Sequence, residues 1–169
     1  MRNILLITLL LFIISCNNDD FEPETHRGKG VVEVNSRTLE FFAWQTDEES
    51  NGRISGYFYT YNNSGARIGH LSLFNLNSQP GFYPFINDTS LLFTKTGYYT
   101  IHDDHAEEFY QFIDVDTSSW YEVEEHDTSS RVLKFRMEAV YQIPPLDEKI
   151  FENSPDTIFL TNGVFEIKY

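Results

Sequence analysis

The chain has little cysteine and little positive charge. Cys16 is the only cysteine in 169 residues, so no intramolecular disulfide can form. Twelve Lys and Arg stand against 26 Asp and Glu, which gives a formal net charge of −14. Nucleic-acid binding depends on contacts from lysine and arginine to phosphate, so this balance argues against a nucleic-acid partner.

Motifs for catalytic nucleophiles and for phosphate binding are also absent from the sequence. There is no Gly-x-Ser-x-Gly segment and no glycine-rich phosphate loop. We therefore expect no cofactor and a protein that is not an enzyme. Carboxylates are abundant, so a hydrolase with a carboxylate pair is kept as a weak alternative.

Long apolar runs are limited to the N-terminus. Residues 4–14 are apolar except for Thr8, and Arg2 precedes them. This run is about half of the ~20 residues that cross a bilayer as a helix. A short apolar run behind a basic residue is typical of a secretory signal peptide, which we assign to residues 1–15.

The end of this run, Ile13-Ile14-Ser15-Cys16, resembles the lipobox of bacterial lipoproteins. The resemblance implies cleavage before Cys16 and attachment of lipid to its thiol. Several acyl chains on one residue anchor a protein stably, since each buried CH₂ contributes ~0.8 kcal/mol. The expected partner of the N-terminus is therefore a membrane, through the lipid on Cys16.

Residues 16–28 are polar and acidic, and they read as a tether. Their start resembles the export signal that follows the cysteine in surface-displayed lipoproteins of Bacteroidetes. The matching residues are Asn18, Asp19, Asp20, Phe21 and Glu22. The resemblance implies an outer-membrane lipoprotein at the cell surface, with the periplasmic face of that membrane as the alternative.

Residues 29–169 are expected to form one all-β domain, an antiparallel β-sandwich or a barrel-like fold. Apolar and polar residues alternate here, and turn residues recur about every ten positions. Aromatic residues make up 16% of the chain, which favours strands. The predicted strands are 30–35, 38–45, 53–61, 66–75, 91–101, 108–115, 119–125, 131–142, 157–161 and 164–169. A short helix within 103–112 is a weak alternative.

Two hairpins are predicted near the C-terminus. The first turns at 126–130, with Val123 opposite Leu133 and Glu122 opposite Lys134, because this register puts the apolar residues on one face. The second turns at Asn162-Gly163, a pair typical of two-residue hairpin loops. A single strand with a bulge at this glycine is the alternative.

The same segments carry a family resemblance. Trp120 to Glu124, followed by Asp127-Thr128 and 131–135, is similar to a motif of small Bacteroidetes lipoproteins classed as domains of unknown function. The ending 161–165 and the earlier segments 69–73 and 81–84 also resemble that family. The resemblance implies a β-rich fold and an envelope location, without an established activity.

Two clusters have the residue types of metal ligands. His102 and His105, with acidic neighbours, have a spacing that suits zinc on a tight loop. Asp114 and Asp116 begin a segment that imitates a calcium loop, but Ser119 stands where such a loop needs glycine. We interpret both clusters as polar loops, so no metal is expected.

Tyr57, Tyr59 and Tyr61 fall on one face of a predicted strand. If that face is outward, it forms an aromatic strip of the kind that stacks on sugar rings, although burial of both faces is the favoured interpretation. Thr157, in Asp-Thr-Ile, resembles an O-glycan acceptor site of Bacteroidetes envelope proteins. The sequence as a whole favours a lipid-anchored, non-catalytic binding or accessory protein, whose partner is an envelope protein or an extracellular glycan.

Overall fold

The secondary structure is entirely β in the residues that the structure, a computed structural model, describes: 22–85, 95–102, 106–112, 119–143 and 152–169. The strands are β1 (Gly28–Val34), β2 (Arg37–Glu48), β3 (Ile54–Tyr61), β4 (Arg67–Leu76), β5 (Gly81–Pro84), β6 (Lys95–His102), β7 (Ala106–Phe112), β8 (Trp120–Asp127), β9 (Val132–Gln142) and β10 (Thr157–Lys168). Within these residues, no helix is long and apolar enough to cross a membrane.

The strands form one antiparallel sheet with the order β10-β1-β2-β3-β4-β6-β7-β9-β8-β5. β9 also pairs with β10, so the hydrogen-bonded pairings lead from β10 across the sheet and return to it. The sheet curls into a half-barrel. The prediction of an all-β, antiparallel, barrel-like domain is confirmed.

The hydrophobic core lies on the inner face of the curled sheet. The ring of Phe165 stacks on Phe135 with 5.1 Å between centroids, and it meets Phe58 edge-on at 5.3 Å. Each large apolar side chain buried in this way contributes ~1.5–3 kcal/mol to folding. The apolar residues of β9 that alternate with polar ones share one face, as predicted, and that face is buried. Its five residues are Leu133, Phe135, Met137, Ala139 and Tyr141.

The first predicted hairpin exists, but its register is wrong by two residues. Val123 pairs with Phe135 and not with Leu133. β8 extends to Asp127 before the chain turns. Next to the turn the slide is three residues, since Glu125 pairs with Lys134, and a bulge between Val123 and Glu125 reduces it to two. Because the slide beyond the bulge is even, Tyr121 and Val123 stay on the predicted apolar face and are buried.

The charged outer face of this hairpin changes partners accordingly. Glu122 bonds to Arg136 at 2.7 Å instead of Lys134, and Arg136 also reaches Glu124 at 2.7 Å. Lys134 contacts Glu125 at 2.9 Å. These pairs are solvent-exposed, so they contribute little to stability, ~0–1 kcal/mol each.

The second predicted hairpin is wrong, and its alternative is correct. β10 continues from Thr157 to Lys168 with a bulge between Leu160 and Gly163. Asn162 has a left-handed φ of 54°, which asparagine tolerates better than most residues. The Asn-Gly pair lies in this bulge and not in a hairpin turn. β10 pairs with β1 on one side and with β9 on the other, and both pairings keep the strand extended.

Two other segments differ from the sequence prediction. Residues 81–84, which lie outside the predicted strands, form the short strand β5, which pairs with β8. Residues 106–112, where a short helix was the alternative, form β7. In both cases pairing with a neighbouring strand decides the local structure, which propensity alone leaves open.

Candidate functional site

A row of aromatic side chains crosses the outer face of the sheet, opposite the core. Its members lie directly opposite one another on five adjacent strands. We call these residues the aromatic row: Phe42 on β2, Tyr59 on β3, His70 on β4, Tyr99 on β6 and Phe109 on β7. At ~4.8 Å between strands, the row is about 19 Å long.

His70 stacks face to face on Tyr59 and on Tyr99, and Phe109 is tilted against Tyr99. Tyr59 and His70 have centroids 4.7 Å apart, His70 and Tyr99 are 5.2 Å apart, and Tyr99 and Phe109 are 4.8 Å apart. Contacts of this kind contribute ~0.5–1.5 kcal/mol beyond burial. Because these rings cover one another, they present their edges to solvent and not their faces.

The stack ends at an arginine and a tryptophan. The guanidinium of Arg67 lies 4.3 Å from the centroid of the Tyr59 ring and 5.5 Å from that of Trp44. Trp44 meets Tyr59 edge-on at 6.5 Å and is 51% exposed. Trp44 is thus the most exposed aromatic side chain of this surface, with Arg67 over one side of its ring.

His70, in the middle of the row, is a titratable group in an apolar environment. Burial and the nearby positive charge of Arg67 lower the pKa of His70 from 6.5 to about 4. The Nε2 atom of His70 is buried and has no hydrogen-bond partner among the described residues. His70 is thus neutral at physiological pH, and it acts here as an aromatic ring and not as a cation.

Two shallow pockets flank the row. One of about 200 Å³ is lined by Thr25, His26, Arg27 and Trp44. The other, of about 350 Å³, opens where β2 and β3 diverge, and Glu40, Phe42, Tyr61 and Asn63 are among its lining residues. The aromatic surface is therefore bordered by concave spaces that carry both charged and hydrogen-bonding groups.

The predicted tyrosine strip lies on this face. Tyr57, Tyr59 and Tyr61 point away from the core and are half-buried, while Phe58 and Thr60 point inward and are buried. The favoured interpretation, burial of both faces of this strand, is therefore not what the structure shows. Tyr57 packs beside the row, with its ring 5.6 Å from His70.

The residues at the exposed end of this surface and in the middle of the row were not singled out from the sequence: Trp44, Arg67 and His70. The alternation of Phe42 with Trp44 was the available signal for the tryptophan, since it matches the alternation of the β3 tyrosines. The other two come from β4, and only the pairing of β3 with β4 brings them to the site. That pairing is not encoded in any local pattern.

The remaining predicted residues lie elsewhere. Glu22 is exposed and accepts a hydrogen bond from His26 at 2.8 Å. Thr157 is half-buried at the start of β10, and its carbonyl accepts a hydrogen bond from Asn35. Cys16, Asn18, Asp19, Asp20 and Phe21 lie outside the described residues, as does the whole segment 1–15.

Most of the candidate metal ligands lie outside the described residues. His102 is the last residue of β6, and His105, Asp114 and Asp116 lie outside the described residues. Within the described part of the chain, no group of three or more His, Cys, Asp or Glu side chains is arranged to hold a metal ion.

Comparisons with models of protein families, with curated proteins and with solved structures found no match to this chain.

Proposed function

We propose that this chain is a lipid-anchored, non-catalytic binding protein of the bacterial cell envelope, and that its ligand is a carbohydrate. The observation that supports this proposal is the outward aromatic row with the exposed ring of Trp44 at its end. Contiguous exposed apolar patches are uncommon on a folded domain and tend to mark a binding surface. A tryptophan beside hydrogen-bonding groups suits a sugar, which has both apolar C–H faces and hydroxyls.

The structure indicates how such a ligand would be held. A sugar ring would lie against the free face of Trp44. Its hydroxyls would meet polar groups that border the surface, such as Gln45 and the carbonyl of Thr46. The rings behind Trp44 would not contact the sugar with their faces, because they are stacked on each other; they would instead fix the position of the platform.

A glycan array tests this proposal with the full chain purified in detergent. We expect binding to at least one immobilised oligosaccharide. Trp44→Ala should lower that binding at least tenfold, while the melting temperature changes by no more than about 3 °C, because an exposed side chain supports little of the fold. Tyr59→Ala is a poorer probe, since Tyr59 is part of the stack and its loss would also destabilise the domain.

Phe159→Ala is the matched control. Phe159 is also a half-exposed aromatic residue, 50% accessible, but it lies on β10, away from the row. Its loss should leave glycan binding unchanged. Failure of the wild-type chain to bind any glycan, or equal loss in both variants, would reject carbohydrate binding at this face.

A protein partner in the envelope is the second candidate function. Val31 and Val164 pair across β1 and β10, and both are more than one-third exposed on the outer face. They form an exposed apolar pair that is not part of the aromatic row. Cross-linking in intact cells, with a photoreactive residue at position 164, would capture a partner at this surface.

A further inference from the structure

The exposed end of the aromatic row carries positive charge, in a chain that is otherwise strongly acidic. Some basic side chains on the sheet form ion pairs, such as Arg136 with Glu122 and Glu124. Arg67 forms no ion pair with any described residue. Its charge is therefore available to a ligand.

The aromatic contacts also hold the Arg67 guanidinium in position. Its central carbon, Cζ, lies over the Tyr59 ring at 4.3 Å from the centroid, and 5.5 Å from the centroid of Trp44. A guanidinium whose face is stacked keeps its N–H groups free at the edge, where they match the two oxygens of a carboxylate or the oxygens of a sulfate. Stacking also reduces the side-chain freedom that ligand binding would otherwise remove.

A second basic residue, Arg27, also lies close to Trp44. Arg27 lines the pocket of about 200 Å³ next to Trp44, and its guanidinium donates a hydrogen bond to the Thr46 carbonyl at 3.5 Å. His26 lines the same pocket, where its Nδ1 accepts a hydrogen bond from the Gly28 N–H and its Nε2 lies 2.8 Å from Glu22 Oε1. The nearby Glu22 carboxylate is thus occupied by His26.

We infer that Trp44 and Arg67 bind an acidic carbohydrate, with a sugar ring against Trp44 and its carboxylate or sulfate group on the Arg67 guanidinium. This inference rests on the proposed function and adds the ligand class. Arg27, across the pocket, would contact a second acidic group or a hydroxyl of the same saccharide.

Matched pairs of probes test the ligand class by calorimetry on the full chain. Oligogalacturonate is compared with its methyl ester, and dextran sulfate with dextran, so that only the charge differs within each pair. We expect one acidic probe to bind at least tenfold more tightly than its neutral partner. The pair that shows this difference distinguishes carboxylate from sulfate. Added salt should weaken the acidic interaction.

Substitutions of Arg67 then test whether this residue binds the acidic group. Arg67→Gln should lower affinity for the acidic probe at least tenfold, as expected for loss of a charge-assisted hydrogen bond. Arg67→Lys, which keeps the charge without the planar fork, should restore part of it. Lys134→Gln removes the same charge from an exposed site on β9, away from the row, and should have no effect.

The outcomes separate this inference from the proposed function. Equal binding of acidic and neutral probes, unchanged in Arg67→Gln, would overturn the acidic ligand class and leave carbohydrate binding standing. Equal binding of polyglutamate through Arg67 would replace the carbohydrate by an acidic peptide and overturn both. Binding of none of the probes would overturn the acidic class, and the glycan array would then decide the function alone.

Discussion

The phenyl ring of Phe165 occupies the space that a side chain on Gly30 would need. A methyl group on Gly30 would lie 2.1 Å from Cδ1 of Phe165. The two residues are direct partners across β1 and β10. Phe165 also stacks on Phe135, so its ring has little room to move aside. Phe165 can therefore pack in this position only because residue 30 is a glycine.

Gly30→Ala should therefore lower the free energy of unfolding by about 1–3 kcal/mol, the usual effect of overpacking a core. Urea denaturation followed by tryptophan fluorescence measures it. Gly97→Ala is the control, since a methyl group there would have its nearest neighbour, Ser72 Oγ, at 3.3 Å. Equal stability of Gly30→Ala and the wild-type chain would contradict the packing described.

His70 should make the stability depend on pH. The unfolded chain takes up a proton on this histidine near pH 6.5, whereas the folded chain resists it until about pH 4. Between these values the unfolded state binds more protons, so stability falls as the pH is lowered from 6.5 towards 4. Solvent screening limits the effect of this partly exposed group to the order of 1 kcal/mol.

The comparison variant for this prediction is His70→Phe, which keeps a ring in the stack and removes the titration. Both proteins experience the same change in carboxylate charge, so the difference between their unfolding free energies isolates His70. That difference should shift in favour of the variant between pH 7 and pH 4.5. A difference that does not vary with pH would show that His70 titrates alike in both states.

Asp127 should stabilise the turn between β8 and β9. Its carboxylate accepts hydrogen bonds from the backbone N–H and hydroxyl of Ser129, at 2.8 and 2.6 Å, and from those of Ser130, at 3.2 and 2.7 Å. These bonds hold the pKa of Asp127 well below its usual range. Asp127→Ala should lower the melting temperature, and Asp127→Asn should lower it less because an amide oxygen still accepts. Equal melting temperatures of the three proteins in calorimetry would refute a stabilising role for Asp127 in this turn.

Cys16→Ala should move the protein from the membrane fraction to the soluble fraction. The lipobox resemblance implies that lipid on this thiol is the anchor, and no other anchor is proposed. Cell fractionation followed by immunoblotting measures the distribution, with an established lipoprotein as the marker. A variant that stays in the membrane fraction at the wild-type level would refute lipid anchoring.

Protease treatment of intact cells should remove the domain, as expected for a protein displayed at the surface. A periplasmic marker must survive the same treatment, which shows that the outer membrane is intact. Protection in intact cells, with digestion after lysis, would place the domain on the periplasmic side and refute the export interpretation of residues 18–22.

Local patterns in the sequence predict much of this fold but not its pairings. The alternation in β9 identifies its buried face, because side chains of a strand alternate between faces. The partner of Val123 is set by a bulge in β8, which a pattern of period two does not reveal. The Asn-Gly pair of β10 has the chemistry of a hairpin, yet two flanking strands hold it extended.

The candidate site shows the same division. The shared face of the β3 tyrosines follows from their spacing, but its outward orientation depends on which face of the sheet the core occupies. His70 and Arg67 join these tyrosines only through pairing between strands. A single sequence contains no direct record of such contacts, so the site could be predicted only in part.

The position of β10 in the sheet has a consequence for how the chain acquires its structure. β10 follows every other strand in chain order, yet it lies between β9 and β1, and it pairs Gly28 with Ile167. Pairings so distant along the chain are slow to form. During synthesis, β1 gains this partner only after β10 has been made. The domain would therefore stay incompletely folded until β10 has been made, and an incompletely folded polypeptide is the state that can be threaded through a translocation channel.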